Sequence, residues 1–374
     1  MKASAWLWMA FLALGALTGC DQADEGSADE YGAALPEPGM LTLSFDDTEA
    51  LTGALGADGS PEGEGADLLP GGYREAAQAV MDRLNQLIED THGALSKLTA
   101  AATPVEVTKG ATSCKTWEAD GEAAHWSLVT CLKDKGAKKF GFVLKGRPLG
   151  STADADYLVV LAGEGKAMPA WNGKKRGMGR VGYNLDNLSA LTGEAVGGRI
   201  GITYRSVGAV RALNIGLDEV VGADGAAARS GVYRFHLVVG KGGRFAWVDT
   251  GDYLARENGQ LVAGQDGEVE WVRAAVAWRN DGFARTVRAA CEGTVGQGQC
   301  VRVAQCWSAG EELSWSMLLD EAQEITWSST ACKDVPLAID AEPGTDDQKP
   351  PKDKDGECGA PVMPEPDLLP DENP

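Results

Sequence analysis

Few residues in this 374-residue chain stand where side-chain chemistry could begin. The clearest is Cys20, at the end of Leu17-Thr18-Gly19-Cys20. A cysteine thiol is a nucleophile that can be alkylated, and small residues before it let an extended backbone enter a peptidase site. A second candidate is DGEVEW, residues 266–271, where Glu268 and Glu270 stand two apart on an expected strand. Two carboxylates projecting from one face are what hydrolysis of a glycosidic bond uses. Arg273 occupies the place of a third acid, so a solvated strand face explains the pair better than catalysis.

The three histidines, His92, His125 and His236, fall on separate expected elements, and no spacing joins them as a base or as metal ligands. GMGRVG (177–182) satisfies Gly-x-Gly-x-x-Gly, but a dinucleotide site needs a strand before it and a helix after. Here NGKKR precedes the match and YNLDNL follows it. DKDGE (353–357) has the flavour of a calcium loop, yet its first ligand position would be Pro351 and its twelfth Val362. The expectation is therefore a protein without catalytic residues, without a cofactor and without a metal.

Around Cys20 the signal is stronger. Lys2 supplies a minimal basic start, and the apolar run AWLWMAFLALGAL (5–17) is too short to span a bilayer comfortably. Together with Leu17-Thr18-Gly19-Cys20 this resembles the lipobox of bacterial lipoproteins. The resemblance implies a signal peptide over 1–19, a diacylglycerol thioether on Cys20, cleavage before it and acylation of the new amino terminus. Two or more acyl chains, at ~0.8 kcal/mol per buried CH₂, anchor stably where one would not. It also implies an exported protein, held to a cell-envelope membrane through the lipid on Cys20, with its body outside the cytoplasm.

Charge then divides the chain. Residues 21–70 hold thirteen Asp/Glu and no Lys or Arg, and residues 333–374 hold twelve acids against four lysines. With a formal net charge of −21 overall, this leaves residues 71–332 close to neutral, at −1. A neutral body with acidic ends argues against a nucleic-acid partner, which needs a concentrated basic face. Acidic, aromatic-poor ends cannot bury enough apolar area to offset ordering entropy. The expected organisation is a signal peptide (1–19), a disordered acidic tether (20–69), a folded body (70–335) and a disordered Pro-rich tail (336–374). MLTLSF (40–45) alternates like a short strand that could pair with the body.

The body opens with the one convincing helix, YREAAQAVMDRLNQLIEDTHGALSKL (73–98). Val80, Leu84, Leu87, Ile88, Leu95 and Leu98 recur at three- and four-residue intervals. This stripe either binds a partner or packs on the protein's own sheet, and packing is the expectation for one helix beside many strands. After Pro104 the period becomes two: Phe140, Phe142 and Leu144; Ile200, Ile202 and Tyr204; Tyr233, Phe235, Leu237 and Val239. Asn280-Asp281-Gly282 joins two long strands as a hairpin. Roughly eleven to fourteen strands with no second helix between them indicate a mainly β fold. A long antiparallel meander of that kind curls into a half-barrel or barrel-like sheet, with the helix packed on its concave side.

Seven cysteines follow Cys20. An oxidising compartment permits disulfides, and sequence neighbourhood favours Cys114 with Cys131, Cys291 with Cys300, and Cys306 with Cys332, leaving Cys358 as the odd one. The four cysteines in 291–332 still allow three connectivities.

Two functions remain open. One is a structural or interaction lipoprotein of the envelope, similar in layout to envelope lipoproteins of uncharacterised function. The other is a binding module whose curled sheet takes an apolar ligand or acyl chain. In architecture that second reading resembles periplasmic lipoprotein carriers. A tryptophan-lined cavity beside the helix would favour binding, and a space filled by Val80, Leu84, Leu87 and Ile88 would favour the first.

Overall fold

The computed structural model describes residues 31–32, 34–45, 73–101, 105–109, 112–222, 228–251, 254–257, 260–263, 266–308 and 313–320. The chain is mainly β. Fourteen strands form one antiparallel sheet: β1 (Val105–Lys109), β2 (Thr112–Asp120), β3 (Ala124–Asp134), β4 (Lys139–Pro148), β5 (Leu158–Trp171), β6 (Lys174–Asn184), β7 (Gly197–Val207), β8 (Val210–Val221), β9 (Arg229–Val238), β10 (Gly242–Gly251), β13 (Glu270–Arg279), β14 (Ala284–Cys291), β15 (Cys300–Trp307) and β16 (Leu313–Asp320). Between β10 and β13 a separate hairpin, β11 (Leu254–Glu257) with β12 (Gln260–Ala263), leaves the sheet. All other neighbours are consecutive in sequence, and among the described residues β1 and β16 are the edge strands, so the sheet is an open meander.

Laid flat at ~4.8 Å per strand, such a sheet would be roughly 60 Å wide. Yet a single apolar core gathers Trp117 on β2, Leu213 on β8 and Trp307 on β15 around one helix, which requires the sheet to curl. That helix, α2 (Tyr73–Ala101), buries Ala77, Met81, Leu84, Ile88, His92, Leu95 and Leu98. These recur at three- and four-residue steps, as one face of a helix does. Val80 and Leu87, expected in the stripe, flank it and are half-buried against the core. Ala77, Met81 and His92 take the axis instead.

The structure corrects three further expectations. Residues 31–45, placed in the acidic tether, lie in the core: Ala34, Met40, Leu41, Leu43 and Phe45 are all buried. MLTLSF is not a strand. Met40 and Leu41 end a single helical turn, α1 (Pro38–Leu41), and Thr42–Ser44 run on outside the strands of the sheet. Side-chain alternation there reflects wrapping around α2, whose Asn85 bonds both the N–H (2.7 Å) and the carbonyl (2.8 Å) of Leu43. The segment forms a belt antiparallel to α2. Tyr31 meets Ser113 on β2 at 2.7 Å, Arg211 on β8 donates to the carbonyls of Gly39 and Thr42, and the indole N–H of Trp278 on β13 donates to the Phe45 carbonyl at 3.2 Å.

Glycines make room for the belt. A Cβ at Gly165 on β5 would sit 2.3 Å from the Ala34 carbonyl oxygen, and one at Gly177 on β6 would sit 3.1 Å from Met40 Sδ. A second helix also stands between strands, where none was expected: α3 (Leu185–Thr192), between β6 and β7. Asn184 caps it by accepting the Asn187 N–H at 3.0 Å, and Gly193, at φ 75°, ends it. Its apolar content is too short to show a period; Leu191 packs with Ala124 and Val160.

Candidate functional site

Cys20, Cys332 and Cys358 lie outside the described residues. Cys114 and Cys131 face each other across β2 and β3 and are bonded, with Cα atoms 4.1 Å apart. Cys291 and Cys300 do the same across β14 and β15, also at 4.1 Å. Cys306 is disulfide-bonded too. Its proposed partner, Cys332, remains an expectation.

The carboxylate pair does not survive folding as a pair. Strand β13 begins at Glu270, so Glu268 lies in the loop before it, exposed, while Glu270 is fully buried. The Glu270 carboxylate accepts the backbone N–H groups of Leu254 (3.1 Å) and Thr294 (3.0 Å). Asp266 accepts the Thr294 hydroxyl at 2.9 Å, and Arg256 donates to the carbonyls of Thr294 (3.1 Å) and Val295 (3.3 Å). These bonds tie the β11–β12 hairpin to the tight turn Gly293–Val295 beside the Cys291–Cys300 bridge. A Cβ at Gly293 would come 2.7 Å from Glu270 Oε1, and the residue holds φ +49°, so glycine is required there. Apart from the Asp266–Thr294 bond, each of these bonds fixes main chain, which is a structural role.

The histidines stay apart. His236 is exposed on the outer face of β9, and His125 pairs with Asp120 at 2.7 Å. His92 is fully buried between the belt and the sheet. GMGRVG lies inside β6, where Gly177 and Gly179 admit close neighbours, rather than in a turn between a strand and a helix; α3 begins only after the strand ends at Asn184. Among the described residues no cluster of three or more His, Cys, Asp or Glu could hold a metal, and no helix is long and apolar enough to cross a membrane.

The tryptophans are largely core. Trp117, Trp247, Trp278 and Trp307 are buried, and Trp278 packs on Phe45 with ring centroids 4.6 Å apart. The space beside α2 is filled by Met81, Leu84 and Ile88 together with the belt.

Beyond the start of α2 the inner face of the sheet changes character. Strand register puts Trp247, Ala274, Arg288, Val303 and Leu318 in one row across β10 and β13–β16, and Phe245, Val276, Thr286, Gln305 and Ser316 in the next. Arg288 is 6 % exposed, and burial pulls its guanidinium down to about 10, which leaves it a cation at neutral pH. Among the described residues nothing accepts a hydrogen bond from its Nε or Nη2. Thr286 donates to Gln305 Oε1 at 3.1 Å, and the Ser316 hydroxyl is buried without a partner. One row away, Asp249 is 1 % exposed and faces Arg83 of α2 at 3.5 Å.

Sequence reasoning did not single out Arg288. Its one trace is an arginine in the apolar, small-residue strand ARTVRAAC, on the face shared with Ala284, which joins the core. No family model, curated protein or solved structure matches this chain.

Proposed function

We infer that the protein is a lipid-anchored cell-envelope protein that serves as a structural or interaction element, and that it is not an enzyme. The observation that carries this reading is occupancy of the curl. Leu84 and Ile88 of α2, with Met40, Leu41 and Phe45 of the belt, take up the inner face over most of the sheet. Over that part of the sheet the outer face remains for contact, where Thr203, Arg205, Asn214, Arg234 and His236 form an exposed polar surface across β7, β8 and β9. Leu17-Thr18-Gly19-Cys20, with the acidic run after it, supports attachment through Cys20. The belt shortens the tether to the residues before Tyr31, since the chain is already docked on the body from there.

Metabolic labelling of a bacterial host with an alkyne fatty acid tests the anchor. The wild-type chain is expected to carry label and to sediment with membranes. Cys20→Ala is expected to lose the label and to accumulate as uncleaved precursor. Processing of the wild type without any lipid would overturn the reading.

A further inference from the structure

We propose that Arg288 anchors a binding site for an apolar carboxylate, with the carboxylate on the guanidinium edge and the apolar body lying along Val303 and Leu318 towards β16, the last described strand of the sheet. The argument starts from charge. A guanidinium is always a cation in a protein at neutral pH, and burying one without a counter-charge is strongly unfavourable. Arg288 is 6 % exposed with Nε and Nη2 unsatisfied. Two buried acids on the same inner face are otherwise engaged: Asp249 faces Arg83, and Glu270 accepts the N–H groups of Leu254 and Thr294.

Which anion fits follows from the geometry of the unsatisfied atoms. Nε–H and one Nη2–H lie parallel along one side of a guanidinium, the edge that takes both oxygens of a carboxylate at once. One cation also matches one negative charge, whereas a doubly charged phosphate would bring uncompensated charge among Ala274, Val303 and Trp247. Further donors are close in register. Gln305 spends its amide oxygen on Thr286, which leaves its amide nitrogen for another acceptor, and the Ser316 hydroxyl is unsatisfied on the same row.

The apolar part follows from exposure. Leu318 shares the row with Arg288 and Val303, yet it is 41 % exposed, so this face opens to solvent within two strands of the buried charge. A ligand entering over β16 would meet leucine and valine first and the guanidinium last. This site does not depend on lipid at Cys20, so it stands or falls apart from the anchor.

Calorimetric titration of the chain from residue 21 to 374 tests it, with dodecanoate, dodecanol, acetate and dodecyl phosphate as probes. Dodecanoate is expected to bind at one equivalent, with dodecanol and acetate each weaker by about tenfold or more, as loss of a charge-assisted hydrogen bond or of apolar contact predicts. Arg288→Met is expected to weaken dodecanoate by about tenfold to a hundredfold while keeping or raising the unfolding midpoint, because an unpaired buried charge is removed. Equal affinity for dodecanoate and dodecanol in the wild type would overturn the proposal, and that comparison needs no variant. So would unchanged dodecanoate affinity in Arg288→Met. Preference for dodecyl phosphate would overturn the carboxylate assignment.

Discussion

Nδ1 of His92 lies 2.9 Å from the hydroxyl of Tyr183, and its Nε2 lies 2.7 Å from the carbonyl oxygen of Pro36. A carbonyl accepts, so Nε2 carries the ring proton, and Nδ1 of the neutral ring accepts from the tyrosine. One imidazole therefore joins helix α2, the belt and strand β6. Burial holds the His92 pKa below its ordinary value near 6.5, against the opposing effect of the Pro36 carbonyl, and burial pushes the Tyr183 phenol up.

From this a pH dependence follows. The unfolded chain takes up a proton at this histidine near its ordinary value, and the folded chain resists it to lower pH. The contribution is therefore fully present above the unfolded pKa and is lost as pH falls below it. Urea unfolding midpoints of the wild type are expected to drop between about pH 7.5 and about pH 5.5, and His92→Gln is expected to drop less over the same range. Parallel pH profiles for the two chains would refute the assignment.

Leu84 is 2 % exposed at the centre of the face that α2 presents to the sheet. Leu84→Ala is expected to cost about 2–5 kcal/mol, through lost transfer energy and the cavity left behind. Leu87, half-buried at the flank, should cost about 1–2 kcal/mol on the same truncation. Equilibrium denaturation measures both, and equal losses at the two positions would contradict the packing described.

Gly165→Ala tests the belt. Its Cβ would meet the Ala34 carbonyl oxygen at 2.3 Å and the Tyr204 hydroxyl at 2.9 Å, so the belt must shift. Overpacking of this kind costs about 1–3 kcal/mol. Protease cleavage between residues 31 and 45 should rise sharply in the variant, with the sheet remaining intact. Unchanged protection of that segment would show the contact to be unimportant.

Glu270→Ala removes the acceptor of two buried N–H groups, from Leu254 and Thr294. About 1–3 kcal/mol per unsatisfied group is expected, with loosening confined to the β11–β12 hairpin and the Gly293–Val295 turn. Hydrogen exchange at the Leu254 and Thr294 amides reads this directly. Glu268→Ala, at an exposed loop position, should change neither amide, and an equal effect would restore the paired reading.

Non-reducing peptide mapping should recover Cys114–Cys131, Cys291–Cys300 and a peptide linking Cys306 to Cys332. A bridge closing a loop of this size contributes about 2–4 kcal/mol. Recovery of Cys306 with Cys358 instead would correct the third pairing.

Local pattern by itself determined the class of fold. Alternation at positions such as Ile200, Ile202 and Tyr204 sets which face of a strand is buried, and short turns between successive strands leave a meander as the simple arrangement. The same holds for Cys114–Cys131 and Cys291–Cys300, because each pair sits at matched positions of adjacent antiparallel strands. Tertiary structure decided what depends on contacts between segments far apart. The acidic composition around residues 31–45 hid the belt, since its burial is set by Gly165, Gly177, Asn85 and Trp278, none of them near it in sequence. Glu268 and Glu270 look equivalent two residues apart, yet the β11–β12 hairpin buries one and leaves the other in solvent. Arg288 is one arginine among many in the sequence. Its burial, with Nε and Nη2 unsatisfied among the described residues, arises because curling of the sheet carries that face inward, and desolvation is a property of the assembled fold rather than of any local run of residues.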